Sequence, residues 1–332
     1  MMKKTLYLLR RFLSYAGIVF IAITLSFFIT HLMPGDPTVH ILGEQEYFFL
    51  YNENPEMIAK IQAQYGLDKS MGEQYVLYLK NLFTGKLAES FKYNVSAMEV
   101  ILFRLKWTMV LVLPATAIAA FLGAVLGSKI GWKNGRLLDK VLTPTALVFR
   151  SVPTYCLAIF FLFYIAFKSG RFPISGMTKG DLYGFAAFID VVWHMILPLT
   201  ILVLSRTATN MLLMKHSVLD IKHEAYITTA VSKGLSDGKV LRKHVFRNAL
   251  LPYVTSIAMQ FGFIVSGSIM VEIIFAWKGM GTLIYEAVQG KDFPMLQMSM
   301  IIIVVCVVTA NLTADILITL IDPRIKEADE HA

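Results

Sequence analysis

Residues 223–252 read HEAYITTAVSKGLSDGKVLRKHVFRNALLP. The stretch carries Lys233, Lys239, Arg242, Lys243 and Arg247 against Glu224 and Asp237, in a chain that is otherwise mostly apolar. Tyr226 with Ala230, and Ile227 with Val231, recur at helical spacing. Lys233 falls in the last turn, and Gly234 fits the left-handed position just past a helix end. Ser236 is then placed as the N-cap of a second helix. That helix has Leu241, Val245 and Ala249 at i, i+4 and i+8 and runs through Pro252 into an apolar segment. The stretch therefore predicts two short amphipathic helices hinged at a glycine. Three uses fit such a unit: lying on anionic lipid, a solvated loop, or docking a soluble partner with the apolar stripe in the partner's groove.

The surroundings decide where the unit sits. Of 332 residues, 56% are hydrophobic and 16% charged, and the mean hydropathy is +0.60. A soluble domain carries about 25% charged residues, and a spanning helix needs about 20 apolar ones. Apolar runs fall at Phe12–Leu32, Trp107–Gly131, Val141–Phe167 (with Pro153 inside), His194–Met214, Leu250–Phe275 and Gln297–Ile321. They predict an all-α integral membrane protein of about six spans. The first run is too long for a signal-peptide core and is read as a retained span. Trp107, Trp132, Trp193 and Trp277 all fall at predicted span ends, as an interfacial aromatic belt would.

Lysine and arginine set the orientation. The N-terminus, the 132–140 turn and the loop after the fourth run are basic, whereas 33–104 holds nine acids against six Lys/Arg. Both termini are thus expected in the cytoplasm, with 33–104 outside. Within 33–104, NPEMIAKIQAQYG reads as a helix with Asn54 as N-cap, Pro55 at N1 and Gly66 past its end. GEQYVLYLKNLFTG reads as a second helix ending at Gly85. The expected organisation is 1–32 N-terminus and first span, 33–104 a small extracytoplasmic helical domain, 105–321 the transmembrane core with 215–249 as a cytoplasmic loop, and 322–332 a cytoplasmic tail.

Catalytic chemistry finds no support in the residues. HEAYI lacks the second histidine of HExxH, since its fifth residue is Ile227, and no Gly–Lys pair has Walker A spacing. Cys156 and Cys306 sit apart in apolar runs and read as small buried hydrophobes. His31, His40 and His194 near the outer side have no metal-ligand spacing. Ionisable residues inside spans are costly and often functional. Arg206, amid Thr200, Ser205, Thr207, Thr209 and Asn210, either meets an anionic part of a substrate or makes a structural pair, for instance with Asp315. Arg150 lines an inner vestibule or snorkels. Glu272 lines a path or caps the fold. Gly262 and Gly267 allow close helix packing.

The opening stretch resembles the "EAA loop" of binding-protein-dependent ABC importer permeases, in the form found in the dipeptide, oligopeptide and nickel branch. The resemblance rests on Tyr226, Ala230, Lys233, Gly234, Leu235 and Arg247–Pro252. It extends along the chain through MPGDP (33–37), SVPTY (151–155), FPISG (172–176), ILPL (196–199), VEIIFAWKGMG (271–281) and ANLTADILITLIDPR (310–324). Thr228 and Thr229 stand where the naming Glu and Ala would be, and Lys278 replaces a usual proline.

The resemblance implies a type I ABC importer permease fold. It also implies coupling to ATP-binding subunits through Tyr226, Thr229, Ala230, Lys233, Gly234, Leu235, Lys239 and Arg242. Arg206, Asn210, Arg150 and Glu272 are the translocation-path candidates. The implied partners are two ATP-binding subunits, a homologous second permease and an extracytoplasmic substrate-binding protein. ATP and Mg would be bound by those partners, and no cofactor by this chain. The implied cargo is a di- or oligopeptide, with nickel as the alternative. A secondary transporter or channel is the rival class, weighed against by the lack of a broken-helix repeat pair in the sequence. A membrane-anchored enzyme is a weaker third.

Overall fold

The computed structural model describes residues 2–32, 37–84, 90, 93, 95–180, 182–261 and 268–321. Residues 33–36 of MPGDP, Gly85, Gly262, Gly267 and the tail 322–332 lie outside the described residues. Among those described, every long element is a helix. In chain order these are α1 (Met2–Leu32), α2 (Pro37–Leu42), α3 (Glu44–Glu53), α4 (Pro55–Tyr65), α5 (Met71–Phe83), α6 (Ala97–Trp132), α7 (Leu137–Ser151) and α8 (Thr154–Phe161). They continue with α9 (Gly184–Lys222), α10 (Ala225–Ser232), α11 (Asp237–Val240), α12 (Phe246–Phe261), α13 (Ile269–Ile274), α14 (Met280–Gln289) and α15 (Phe293–Ile321). π-Helical turns at Leu162–Phe167 and Leu241–Val245 follow α8 and α11.

Among the described residues, four helices are long and apolar enough to cross a membrane: Leu13–Leu32, Ala97–Trp132, Gly184–Lys222 and Phe293–Asp315. The expected third span is not one straight helix. Leu137–Ser151 and Thr154–Phe167 meet at 98°. Val152 is extended (φ −79°, ψ 125°), because a residue before proline is excluded from the helical region, and Pro153 then starts the next helix. Among the described residues one broken helix of this kind is present. The expected fifth span includes residues outside the described set.

Two helices outrun their apolar runs. α6 begins at Ala97, taking in Arg104 and Lys106, and α9 extends from Gly184 to Lys222, so Lys215 is not a loop residue. Hydropathy marks where lipid is tolerated, whereas backbone hydrogen bonding continues the helix past it.

The chain divides into two compact units, Met1–Lys106 with Thr282–Cys306, and Trp107–Gly281 with Val307–Ala332. In the first, α1 is stapled to α5 by Thr24 with Tyr75 (2.8 Å) and by the His31 ring with Gln74 (2.9 Å). Phe27 packs among His31, Tyr75 and Tyr78. Gln297 of α15 donates to Thr30 at 2.6 Å. Tyr93 and Arg104 both donate to Glu286, at 2.7 and 3.0 Å, and burial together with the Glu286 carboxylate pushes the Tyr93 hydroxyl above its usual range.

Among the described residues, the 33–104 segment holds four helices where the sequence predicts two. α2 and α3 lack a clean 3.6 period, and α3 (EQEYFFLYNE) is apolar on several sides. Asn54 occupies the N-cap of α4, but its side chain makes no capping bond, at φ −152° and ψ 70°. Gly66 is left-handed (φ 70°) as expected. α5 ends at Phe83, with Thr84 as its C-cap residue, and starts on a reciprocal capping box, Ser70 with Glu73. The Ser70 hydroxyl and N–H hold the Glu73 carboxyl below the usual carboxylate range.

In the second unit α6 and α9 pack nearly backbone to backbone. A Cβ on Gly123 would lie 2.5 Å from Asn210 Cβ, one on Gly127 2.4 Å from the Met211 carbonyl, and one on Gly131 2.9 Å from the Lys215 carbonyl. This glycine seam at four-residue spacing is the close-packing device of apolar helices.

Candidate functional site

The basic stretch forms a compact unit directly below α9. α10 ends at Lys233, whose N–H bonds Thr229 O at 3.0 Å. Gly234 follows at φ 76°, its N–H on Val231 O at 2.9 Å. Nothing lies within 4 Å of where a Gly234 side chain would begin, so the glycine is there for its backbone angle and not for space. Ser236 is the N-cap residue of α11 by backbone angles, yet its hydroxyl makes no capping bond. The Asn248 amide of α12 donates to the Tyr226 hydroxyl at 2.9 Å and to His244 O at 2.8 Å, tying α10 to α12. Both residues stand in the motifs that carry the resemblance, but no spacing rule pairs positions 22 apart.

The apolar stripe of this unit is not free to fill a partner's groove. Ile227, Ala230, Val240, Val245 and Ala249 are buried against Met214 and Val218 of α9, Ala124 and Trp132 of α6, and Tyr253 and Ile257 of α12. The stripe also differs from the expected one. The π-helical turn at Leu241–Val245 adds a residue to the helical repeat, so Val240 is fully buried and Leu241 only partly. Ala230, expected at the coupling surface, therefore faces inward. Tyr226, Thr229, Lys233, Gly234, Leu235, Lys239 and Arg242 are exposed. Leu235, Lys239, Arg242, Lys243, His244 and Arg247 line one depression. What faces outward is cationic with small apolar pieces, Val231 and Leu235.

Two polar ties fix the base beneath the unit. Lys222, at the end of α9, donates to Trp132 O at the end of α6 (3.0 Å) and lies 5.3 Å from the Trp132 ring centroid. Lys215 is buried and meets Asp139 of α7 at 2.5 Å. Composition counts Lys215 as a topogenic loop charge, but nothing in the sequence matches it to an acid 76 residues away.

The path candidates separate into different roles. Arg206 is half-buried on α9 and donates to the Thr116 hydroxyl of α6. Ser205 shares a 3.2 Å hydrogen bond with Thr154 at the start of α8, which holds the helix break against α9. Asn210 is buried on the glycine seam opposite Gly123, and its Oδ1 has no hydrogen-bond partner among the described residues. Arg150 is exposed one turn before the break. Glu272 is fully buried and accepts from Thr108 (2.9 Å), Ser268 (3.0 Å) and Gly281 N–H (2.7 Å). Of the two roles weighed for Glu272, capping the fold is the one these hydrogen bonds describe. The carboxylate fills space that only glycine leaves open, since a Cβ on Gly279 would sit 2.4 Å from it. Among the described residues no three His, Cys, Asp or Glu gather as a metal site.

Residues 119–327 match the family described as binding-protein-dependent transport system inner membrane component, and residues 2–111 match its N-terminal companion family. The chain is 33% identical to the dipeptide transport system permease protein DppB of Alkalihalophilus pseudofirmus, over 96% of this chain and 99% of that protein. It is 32% identical to the Escherichia coli K12 protein of the same name, over 96% and 98%. It is 30% identical to the di/tripeptide transport system permease protein DppB of Pseudomonas aeruginosa, over 91% and 93%.

Proposed function

Since the chain belongs to the family of inner membrane components of binding-protein-dependent transport systems, we propose that it is the permease subunit of an ABC importer for short peptides. It spans the membrane several times with both termini in the cytoplasm. It pairs with a homologous permease and two ATP-binding subunits, and receives cargo from an extracytoplasmic binding protein. ATP and Mg are bound by the ATP-binding partners. Full-length similarity to proteins named for dipeptide and di/tripeptide transport favours peptides over nickel.

The observation that carries this reading is the hinged basic unit. It is packed on α6, α9 and α12 by its apolar stripe and leaves Tyr226, Thr229, Lys233, Leu235, Lys239 and Arg242 facing outward. A solvated loop needs no such anchorage. A lever does, because a push on the exposed face must reach the spans without being absorbed. An alternating-access cycle follows: closure of the ATP-binding subunits displaces the unit, and the attached helices switch the site from one side of the membrane to the other.

The test is affinity purification of the tagged chain from native membranes in mild detergent, beside a Gly234→Val variant. A β-branched residue at φ 76° is strained while meeting no neighbour. ATP-binding subunits should accompany the wild type and be depleted with the variant. Their absence from both would sink the importer reading and turn attention to ion-driven transport.

A further inference from the structure

Asp139, in the first turn of α7, and Lys215, about two turns before α9 ends, form an ion pair that the coupling surface does not use. Their closest atoms are 2.5 Å apart, with about a tenth of either side chain exposed. Both are committed further. Asp139 accepts from Gly135 N–H at 2.9 Å and from the Thr143 hydroxyl at 2.6 Å, and Lys215 also donates to Thr143 at 3.0 Å.

Such a pair is an expensive way to join two helices. A buried ion pair gains little or nothing over well-packed apolar residues of the same volume. α7 and α9 already share an apolar contact, in which Ala146, Leu142 and Phe149 pack with Ala208, Met211 and Leu212. An apolar contact alone lets packed helices slide by small shear steps. A pair with fixed, multiply bonded geometry resists sliding.

Its position gives that resistance a use. α9 leads at His223 straight into α10, and α7 leads at Val152 into the 98° break before α8. We infer that Asp139 and Lys215 are positioning residues that lock the foot of α7 to α9, so that a displacement of the basic unit reaches the helix break instead of dissipating in slippage. This rests on the reading of the chain as a transporter subunit driven through that unit.

The experiment uses the full complex reconstituted in liposomes, with ATP-driven uptake of a labelled dipeptide and binding-protein-stimulated ATP hydrolysis measured side by side. In the apolar pair Asp139→Leu with Lys215→Met, assembly and stimulated hydrolysis should persist while uptake falls about tenfold. The exchanged pair Asp139→Lys with Lys215→Asp should recover much of the uptake. Undiminished uptake in an assembled apolar variant overturns the inference. So does a parallel loss of assembly, hydrolysis and uptake in both variants, which would leave the pair only structural. A wild-type complex with no ATP-dependent uptake would instead fail the transporter reading itself, and this inference with it.

Discussion

At Gly127 the chain has no room for a side chain: a Cβ would meet the Met211 carbonyl and Met214 Cβ at 2.4 and 2.7 Å. Gly127→Val should force α6 and α9 apart and cost about 1–3 kcal/mol. It should appear as a lower melting temperature in detergent, whereas Gly17→Val, with nothing within 4 Å, leaves the melt unchanged. Glu272 makes the opposite case, a charge whose value lies in what it satisfies. Glu272→Ala takes the acceptor from the Gly281 N–H and from the Thr108 O–H, at about 1–3 kcal/mol for a buried donor so stranded. The protein should melt earlier while any purified complex keeps its cargo range; a changed range with an unchanged melt would return Glu272 to the path. The glycine seam was legible, since 123, 127 and 131 stand four apart in an apolar run. The sequence reading instead singled out Gly262 and Gly267. Glu272 was legible only as an alternative, because Thr108 reaches it from 164 positions away.

Among the elements, the hinged unit followed the sequence in outline. Helix, left-handed Gly234 and second helix all form where local spacing places them. Its inner face did not follow, because the π-helical turn resets the register and selects Val240. The pairing of Ile227 with Val231 on one stripe also fails: Ile227 is 2% exposed and Val231 48%. Ile227→Ala should therefore cost about 2–5 kcal/mol and loosen the unit, as read by hydrogen exchange across α10. Val231→Ala should stay within about 0.5 kcal/mol. In the 33–104 segment, Ser70→Ala removes half of a capping box and should cost about 1 kcal/mol, seen as faster exchange in the first turn of α5. The break at 152–153 was written in SVPTY, yet a hydropathy window averages over one proline and reports a continuous span.

For the molecule as a whole, the exposed face of the hinged unit is cationic, so its attraction to an ATP-binding subunit should be screened by salt. Lys239→Glu with Arg242→Glu should weaken co-purification of that subunit, and the weakening should shrink as ionic strength rises. A loss independent of salt would point to misfolding of the unit. The sequence by itself determined the membrane class, the apolar segments, the basic hinge and the family resemblance, because these depend on composition and on spacing within a few helical turns. Only the tertiary structure decided that the apolar stripe anchors the unit to its own chain, and that Lys215 answers Asp139. It alone showed that Glu272 is sealed in a turn by Thr108 from far along the chain. Those outcomes depend on which residues meet across distances of tens to more than a hundred positions. Hydrophobicity and helical period fix which side of a helix is apolar, but they do not fix which neighbour it faces.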